Sequence, residues 1–308
     1  MQLTTQSMLP FECGTVVALG NFDGLHIGHM KLIDEILFLS RRCNLKSVVW
    51  TFGEHPENII SGKYVTKSIT TLNEKIELLS EKQVDQMYIE DFSAVRDFSP
   101  DDFIEKILIK KFNAKFVVCG FNFRFGKNNS GDAEYLSGRL SDYSVHTKIV
   151  SPVLYDDKIV SSTYIRSLIE NGETELASRL LGRQFYINFP VVQGRHLGRE
   201  IGVPTINQEF PPDHIIPKTG VYACAVYING EPYIAVSNVG TKPTVSNSNN
   251  VSCETHILGF CGNLYEKNIK VCFYKRLRDE KKYESLEQLK SAIQSDIEKT
   301  KEYFNFEF

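Results

Sequence analysis

The first half of this chain alternates five short, β-rich apolar runs with stretches of helical period. That alternation restricts the fold more than any other feature. The runs are Val16–Leu19, Ser47–Phe52, Gln86–Ile89, Phe116–Gly120 and Val145–Val150. Helical periodicity covers His29 to Arg42, Leu72 to Glu81 and Pro100 to Phe112. Such alternation predicts βαβ units and a parallel sheet. Ligands of these sheets sit beyond the carboxyl ends of the strands. After about Leu181 the strands become closely spaced, without crossover helices. Gly220 to Gly240 reads as a hairpin turning on Asn229-Gly230, a strong type I′ signal. Further strands are expected at Phe185–Gln193, Cys253–Leu258 and Asn268–Phe273. A helix is expected at Ser285–Tyr303, where Leu286, Leu289, Ile293 and Ile297 share one stripe. The expected domains are an α/β unit, residues 1–182, and an all-β unit with a terminal helix, residues 183–308.

The 308 residues suffice for two cores. A net charge of −3 gives no footprint for bulk nucleic-acid or membrane binding. The seven cysteines are odd in number and include no CxxC, so neither a disulfide framework nor a zinc site is expected. A cytoplasmic location fits best. The opening MQLTTQSMLPFECG has no signal-peptide pattern, and no apolar run nears the roughly 20 residues of a membrane span.

The first strand breaks at Gly20 and continues as Asn21-Phe-Asp-Gly-Leu-His-Ile-Gly-His29 into a helix. His26 and His29 thus lie at a helix N-terminus, where unpaired N–H groups and the dipole suit a phosphate. Gly28 removes a side chain where the backbone nears the ligand. Asp23 serves as a cap or brace of the loop, or as a plain turn residue. At the end of a later strand, Cys119-Gly-Phe-Asn-Phe-Arg-Phe-Gly126 offers Asn122 to a base or ribose, Arg124 to a phosphate or flavin edge, and Phe121, Phe123 and Phe125 as stacking faces. Ser161-Ser-Thr-Tyr-Ile-Arg166 reads as a capped helix with arginine one turn in, a second anion site. Thr51-Phe-Gly-Glu-His-Pro56 is a weaker candidate, a strand end able to touch the nucleotide or flavin.

The second half carries Gly194-Arg-His-Leu-Gly-Arg-Glu-Ile-Gly-Val-Pro-Thr-Ile-Asn207. Gly194, Gly198 and Gly202 make an approachable loop, and Arg195 and Arg199 add charge. Thr205 and Asn207 face one way in an extended chain, and two such oxygens suit Mg²⁺ with nucleotide phosphates. Glu254 is a lone carboxylate in the strand Cys253-Glu-Thr-His-Ile-Leu258, either a general base for an alcohol or a solvent-facing residue.

Together these segments resemble the bacterial bifunctional riboflavin kinase/FAD synthetases. The motif His26-Ile-Gly-His29 alone also fits class I aminoacyl-tRNA synthetases and pantetheine-phosphate adenylyltransferases. Here, however, the late element is Ser162-Thr-x-x-Arg166 rather than a lysine loop. The resemblance spans about Thr15 to Tyr303. It implies a Rossmann-like nucleotidyltransferase domain and a Greek-key β-barrel kinase domain. It implies phosphorylation of riboflavin to FMN and adenylylation of FMN to FAD, with ATP as co-substrate and Mg²⁺ as cofactor. In the first reaction centre it assigns His26, His29 and Arg166 to catalysis, and Gly20, Phe22, Asp23, Gly28, Asn122, Ser162 and Thr163 to ATP. Phe52, Phe123 and Arg124 would meet the flavin. In the second it assigns Glu254 as base and Gly194, Arg199, Gly202, Thr205 and Asn207 to ATP. Thr205 and Asn207 would also take the metal, and Arg276 and Arg278 would flank the flavin.

Four positions depart from the family pattern: Gly259, Asn129, Lys242 and Phe189. They open the alternative of a relative with one active module, the other serving as scaffold or flavin binder. The expected partners are riboflavin, FMN, FAD and ATP, with neither nucleic acid nor membrane. The sequence does not indicate an oligomeric state.

Overall fold

The computed structural model describes residues 1–4, 10–194, 198, 202–241 and 251–307. The chain divides into two compact units, Met1–Ser162 and Thr163–Phe308.

The first unit contains strands β1 (Gln2–Thr4), β2 (Thr15–Leu19), β3 (Lys46–Phe52), β4 (Gln86–Glu90), β5 (Ala114–Gly120), β6 (Arg124–Phe125), β7 (Gly131–Asp132), β8 (His146–Val150), β9 (Leu154–Tyr155) and β10 (Lys158–Ile159). Six of these form one sheet in the order β1-β4-β3-β2-β5-β8, and every pairing in it is parallel. The five expected strands are all present. The sixth, β1, is three residues long and too short to carry a sequence signal. Helices α1 (Ile27–Cys43), α2 (Pro56–Ser61), α3 (Leu72–Glu81), α4 (Phe92–Val95), α5 (Pro100–Asp102) and α6 (Ala133–Ser141) accompany the sheet. Beyond α5 the chain winds on with a wider pitch over Phe103–Lys111, where Phe112 N–H donates to Ile107 O.

Strand β2 is buried along its whole length because both of its faces are covered. Val16 and Ala18 pack with Leu32, Ile33 and Ile36 of α1, whereas Val17 and Leu19 pack with Trp50, Phe103 and Leu108. From β2 the chain builds outward to β3 and β4, then crosses back to β5 on the other side of β2. The topological switch therefore falls between β2 and β5, where doubly wound sheets open a ligand crevice.

The second unit contains α7 (Ser162–Asn171, whose first residue belongs to the first unit), α8 (Thr174–Leu181), and strands β11 (Phe185–Val192), β12 (Ile206–Glu209), β13 (Gly220–Ile228), β14 (Glu231–Thr241), β15 (Val251–Ile257) and β16 (Asn268–Arg278), followed by α9 (Leu286–Glu307). The six strands close into an antiparallel barrel in the order β11-β12-β15-β14-β13-β16. The hairpin turns where expected: Ile228 pairs with Glu231, and Asn229 and Gly230 both have positive φ, 53° and 88°. Ala223 and Ala225 pack under Phe304 of α9, and Val221 and Val236 pack under Ile297. The expected α9 stripe is only partly used: Ile297 is buried, but Leu286 is 59% exposed. The change of sequence texture falls at Gly182, whereas compactness divides the chain earlier. The reason is that α8 docks on the barrel, with Phe185 N–H donating to Ser178 Oγ at 2.9 Å.

Candidate functional site

The loop after β2 is a tight, buried turn. Phe22, Gly24 and Leu25 have φ of 50°, 78° and 41°. Phe22 and Leu25 are almost wholly inaccessible despite that unfavourable backbone. The surroundings hold the turn in place. Asp23 Oδ1 accepts from Ile69 N (2.9 Å) and Thr70 N (3.2 Å), and Gly24 N–H donates to Thr70 Oγ1 (3.1 Å). Ser162 Oγ donates to Asp23 O at 2.9 Å. Asp23 is thus a brace for the turn. Gly20 has little room for a side chain, since an added Cβ would lie 3.2 Å from the Phe22 ring.

His26 is the N-cap of α1. Its Nδ1 accepts from Gly28 N (3.1 Å) and His29 N (3.2 Å). Two of the N–H groups expected to await a phosphate are therefore occupied by an imidazole. Because Nδ1 accepts, the proton of neutral His26 sits on Nε2, which remains a donor. Gly28 has a different use from the one expected: a Cβ there would lie 3.0 Å from the His26 ring, so the glycine makes room for the cap. His29 stacks on His26 with ring centroids 3.7 Å apart. Burial, then His26 and then Lys75, hold the His29 pKa well below its usual value, so its imidazole is neutral at neutral pH. Its Nδ1 is buried without a hydrogen-bond partner among the described residues.

Lys75 was not anticipated. It is buried on α3, in helical register with Leu72, Ile76 and Leu79, and a lysine on an apolar stripe was the available signal. Its Nζ donates to Asn21 O (2.7 Å) and lies 3.5 Å from Thr51 Oγ1, which itself donates to Asn21 O (3.0 Å).

Beyond β5, on the other flank of the switch, Phe121 and Asn122 are exposed. Phe125 is a correction: it is buried in the core, in contact with the rings of Phe103, Phe123 and Tyr135, and offers no stacking face to a ligand. Phe123 is partly buried against the same core. Arg124 pairs with Asp132 at 3.3 Å. Phe52 ends β3 edge-on to Trp50 and Phe92. His55 is the N-cap of α2, its Nδ1 accepting from Glu57 N. Asn129 is exposed, with φ 55°. In the second unit, Thr163 and Arg166 lie one turn apart on α7.

The barrel builds its own polar row. Across β12, β15 and β14, Asn207 is in register with Glu254, and Glu254 with Asn238. Facing residues of paired strands share a face, so the three side chains stand together. Glu254 is half-buried and Asn207 is buried. Asn207 Oδ1 has no hydrogen-bond partner among the described residues. A buried oxygen without a donor is costly, which makes it a ready ligand for a hard cation. Gly194 lies directly on this amide: a Cβ there would stand 2.3 Å from Asn207 Nδ2. His256 Nδ1 donates to Pro204 O at 2.8 Å, fixing the residue before Thr205. Gly198 O accepts from Val203 N at 2.7 Å and Gly202 has φ 78°, so both glycines serve the loop's own turn.

The two arginines near the end of β16 have protein partners. Arg276 Nη2 donates to Thr219 O (2.7 Å) and pairs with Asp279. Arg278 makes a forked pair with buried Asp296 of α9, Nη2 to Oδ2 at 2.7 Å. Gly259 has φ 71° with open space around it, and Phe189 is buried against Phe210 and His214. Arg199 and Lys242 lie outside the described residues. Also among the described residues, no helix is long and apolar enough to cross a membrane.

A doubly wound sheet with a capped histidine turn at its switch point, joined to a closed barrel with a polar row built around one carboxylate, defines a two-domain nucleotide-using transferase. The FAD synthetase family model matches residues 9–164, and the riboflavin kinase family model matches residues 181–304. A bifunctional riboflavin kinase/FMN adenylyltransferase of Bacillus subtilis is 35% identical, over 96% of this chain and 94% of its own length. That of Escherichia coli K12 is 33% identical, over 97% and 95%. A solved structure described as a macrolide-efflux protein from Streptococcus pneumoniae superposes with TM-score 0.86 at 31% identity, covering 96% of both chains. The chain belongs to the bifunctional riboflavin kinase/FMN adenylyltransferase family and carries both of its domains, so it is an enzyme of flavin cofactor synthesis.

Proposed function

We propose that residues 1–182 and 183–308 act as separate catalytic modules in the cytoplasm, the second making FMN from riboflavin and the first making FAD from FMN. The observation that carries the reading is the register of the barrel, which sets Glu254 beside the Asn207 oxygen, unpartnered among the described residues. In the kinase reaction, Glu254 takes the proton of the ribityl hydroxyl as its oxygen attacks the γ-phosphorus of ATP, the bond to the β–γ bridging oxygen breaks, and ADP leaves. Thr205 and Asn207 would hold Mg²⁺, which supplies neutralising charge to the phosphates. Gly194, which makes room for the Asn207 amide, and Gly202, which serves the loop's turn, are assigned to the nucleotide by their motif, Arg199 adds charge, and Arg276 and Arg278 shape the flavin side through their fixed partners.

In the adenylyl transfer, a phosphate oxygen of FMN attacks the α-phosphorus of ATP and pyrophosphate leaves. This chemistry needs positioning and charge neutralisation more than covalent catalysis. His26, through Nε2–H, and neutral His29 act as hydrogen-bond donors to phosphate oxygens. Positive charge comes from Arg166 and the α1 dipole. By their motifs, Ser162 and Thr163 are assigned to the triphosphate, and Asn122, Phe52, Phe123 and Arg124 to substrate. Gly20, Phe22, Asp23 and Gly28 shape the turn. The departures at Gly259 and Asn129 leave every residue assigned to chemistry in place.

The test is a time course of the purified full chain with riboflavin and Mg-ATP, with the flavins separated by chromatography. FMN followed by FAD is expected. FMN alone would refute adenylyl transfer, and FAD made only from supplied FMN would refute the kinase.

A further inference from the structure

Lys75 is a charged group with no role in the chemistry above. It lies beneath the turn that carries both histidines. Its ammonium donates to the carbonyl of Asn21, the residue that leads into Phe22 and the positive-φ backbone. The groups that face it are Asp23 from the turn, His29 from α1 and uncharged Thr51 from β3. Glu74, its neighbour on α3, is committed to the capping box with Thr71. A neutral donor could satisfy a carbonyl at far lower desolvation cost than a buried ammonium. The charge is therefore retained for its attraction to Asp23, whose carboxylate ties the turn to Ile69 N and Thr70 N.

We propose that Lys75 is a positioning residue for adenylyl transfer: its ammonium, set against Asn21 O and Asp23, holds the Asn21–Leu25 turn in the strained form in which His26 caps α1 and His29 stacks on it. The inference rests on the adenylyl-transfer reading and deepens it. Burial lowers the Lys75 pKa to about 8, against the opposing pull of Asp23, so the hold weakens at alkaline pH.

The experiment uses the full chain and the variants Lys75→Met and Lys75→Arg. FAD formation from FMN with Mg-ATP is measured from pH 6.5 to 9.5, riboflavin phosphorylation is measured in the same preparations, and hydrogen exchange is followed in the peptide spanning residues 16–30. In Lys75→Met, kcat for FAD formation should fall roughly tenfold to a hundredfold, the scale of a 1 Å misplacement. Riboflavin phosphorylation should stay within about twofold, and the turn amides should exchange faster. The wild-type decline above pH about 8 should vanish in Lys75→Met. Lys75→Arg, still charged, should recover part of the rate. Wild-type kcat in Lys75→Met, unchanged exchange in the turn, or equal loss of both activities would each overturn the proposal. If the wild type makes no FAD, the functional reading fails, and exchange in the turn still decides the role of Lys75.

Discussion

Gly194→Ala is the sharpest perturbation of the kinase site, because the space it must enter is known. The added methyl would meet Asn207 Nδ2 at 2.3 Å, Cγ at 2.7 Å and Oδ1 at 2.9 Å. Ordinary contact begins near 3.4 Å, so backbone or amide must retreat by about 1 Å. Asn207 cannot yield cheaply. It is buried in β12, opposite Glu254, and next to it buried Gln208 holds the carbonyls of Phe189 and Ile269. Overpacking of this kind costs on the order of 1–3 kcal/mol. Displacing the Asn207 oxygen by ~1 Å should slow phosphoryl transfer by roughly tenfold to a hundredfold. The assay is steady-state FMN formation at varied ATP and Mg²⁺, with FAD formation from supplied FMN as the internal control. We expect kcat/KM for FMN formation to fall, with a raised requirement for Mg²⁺, and FAD formation to hold. Wild-type FMN kinetics in Gly194→Ala would refute the view that the amide beneath Gly194 is part of the nucleotide site.

Glu254→Gln should abolish FMN formation while leaving FAD formation from supplied FMN intact, as chromatography of the products would show; a surviving kinase rate removes Glu254 as the base. Gly28→Ala pushes a methyl to 3.0 Å from the His26 ring, so the cap should loosen. FAD formation should fall at a stability cost near ~1 kcal/mol, read by kinetics beside urea unfolding. Because burial keeps His29 neutral, FAD formation should pass through pH 6.5 with no acidic limb belonging to this residue; a limb there that disappears in His29→Gln contradicts the assignment. Lys75 has its pKa lowered from 10.5 to about 8, so between those values the unfolded chain holds the extra proton. Wild-type stability should therefore rise relative to Lys75→Met over that window, by roughly 1.4 kcal/mol per pH unit. The fluorescence of Trp50, the sole tryptophan and buried in the first unit, reports the unfolding, and a pH-independent difference refutes the charged burial.

Much of this enzyme could be read from local pattern. Period-two and period-3.6 hydrophobicity act over a few residues, so the five main strands of the sheet, helix α1, the Asn229-Gly230 turn and five of the six barrel strands, all but the four-residue β12, could be placed without coordinates. The motifs of both reaction centres were legible for the same reason, since each is a contiguous run whose chemistry needs particular residue types. What the sequence could not determine depends on side-chain direction or on partners far apart in the chain. That His26 spends its Nδ1 on its own helix, and that Gly28 exists to admit that ring, follows from side-chain direction rather than residue type. That Phe125 belongs to the core and Arg278 to Asp296 depends on which surfaces meet after folding. Lys75 and the Asn207–Glu254–Asn238 row are the clearest cases. A buried ammonium and a cross-strand register take their meaning from the groups placed around them, and only tertiary packing puts those groups there, because burial and register are properties of the assembled sheet and not of any one segment.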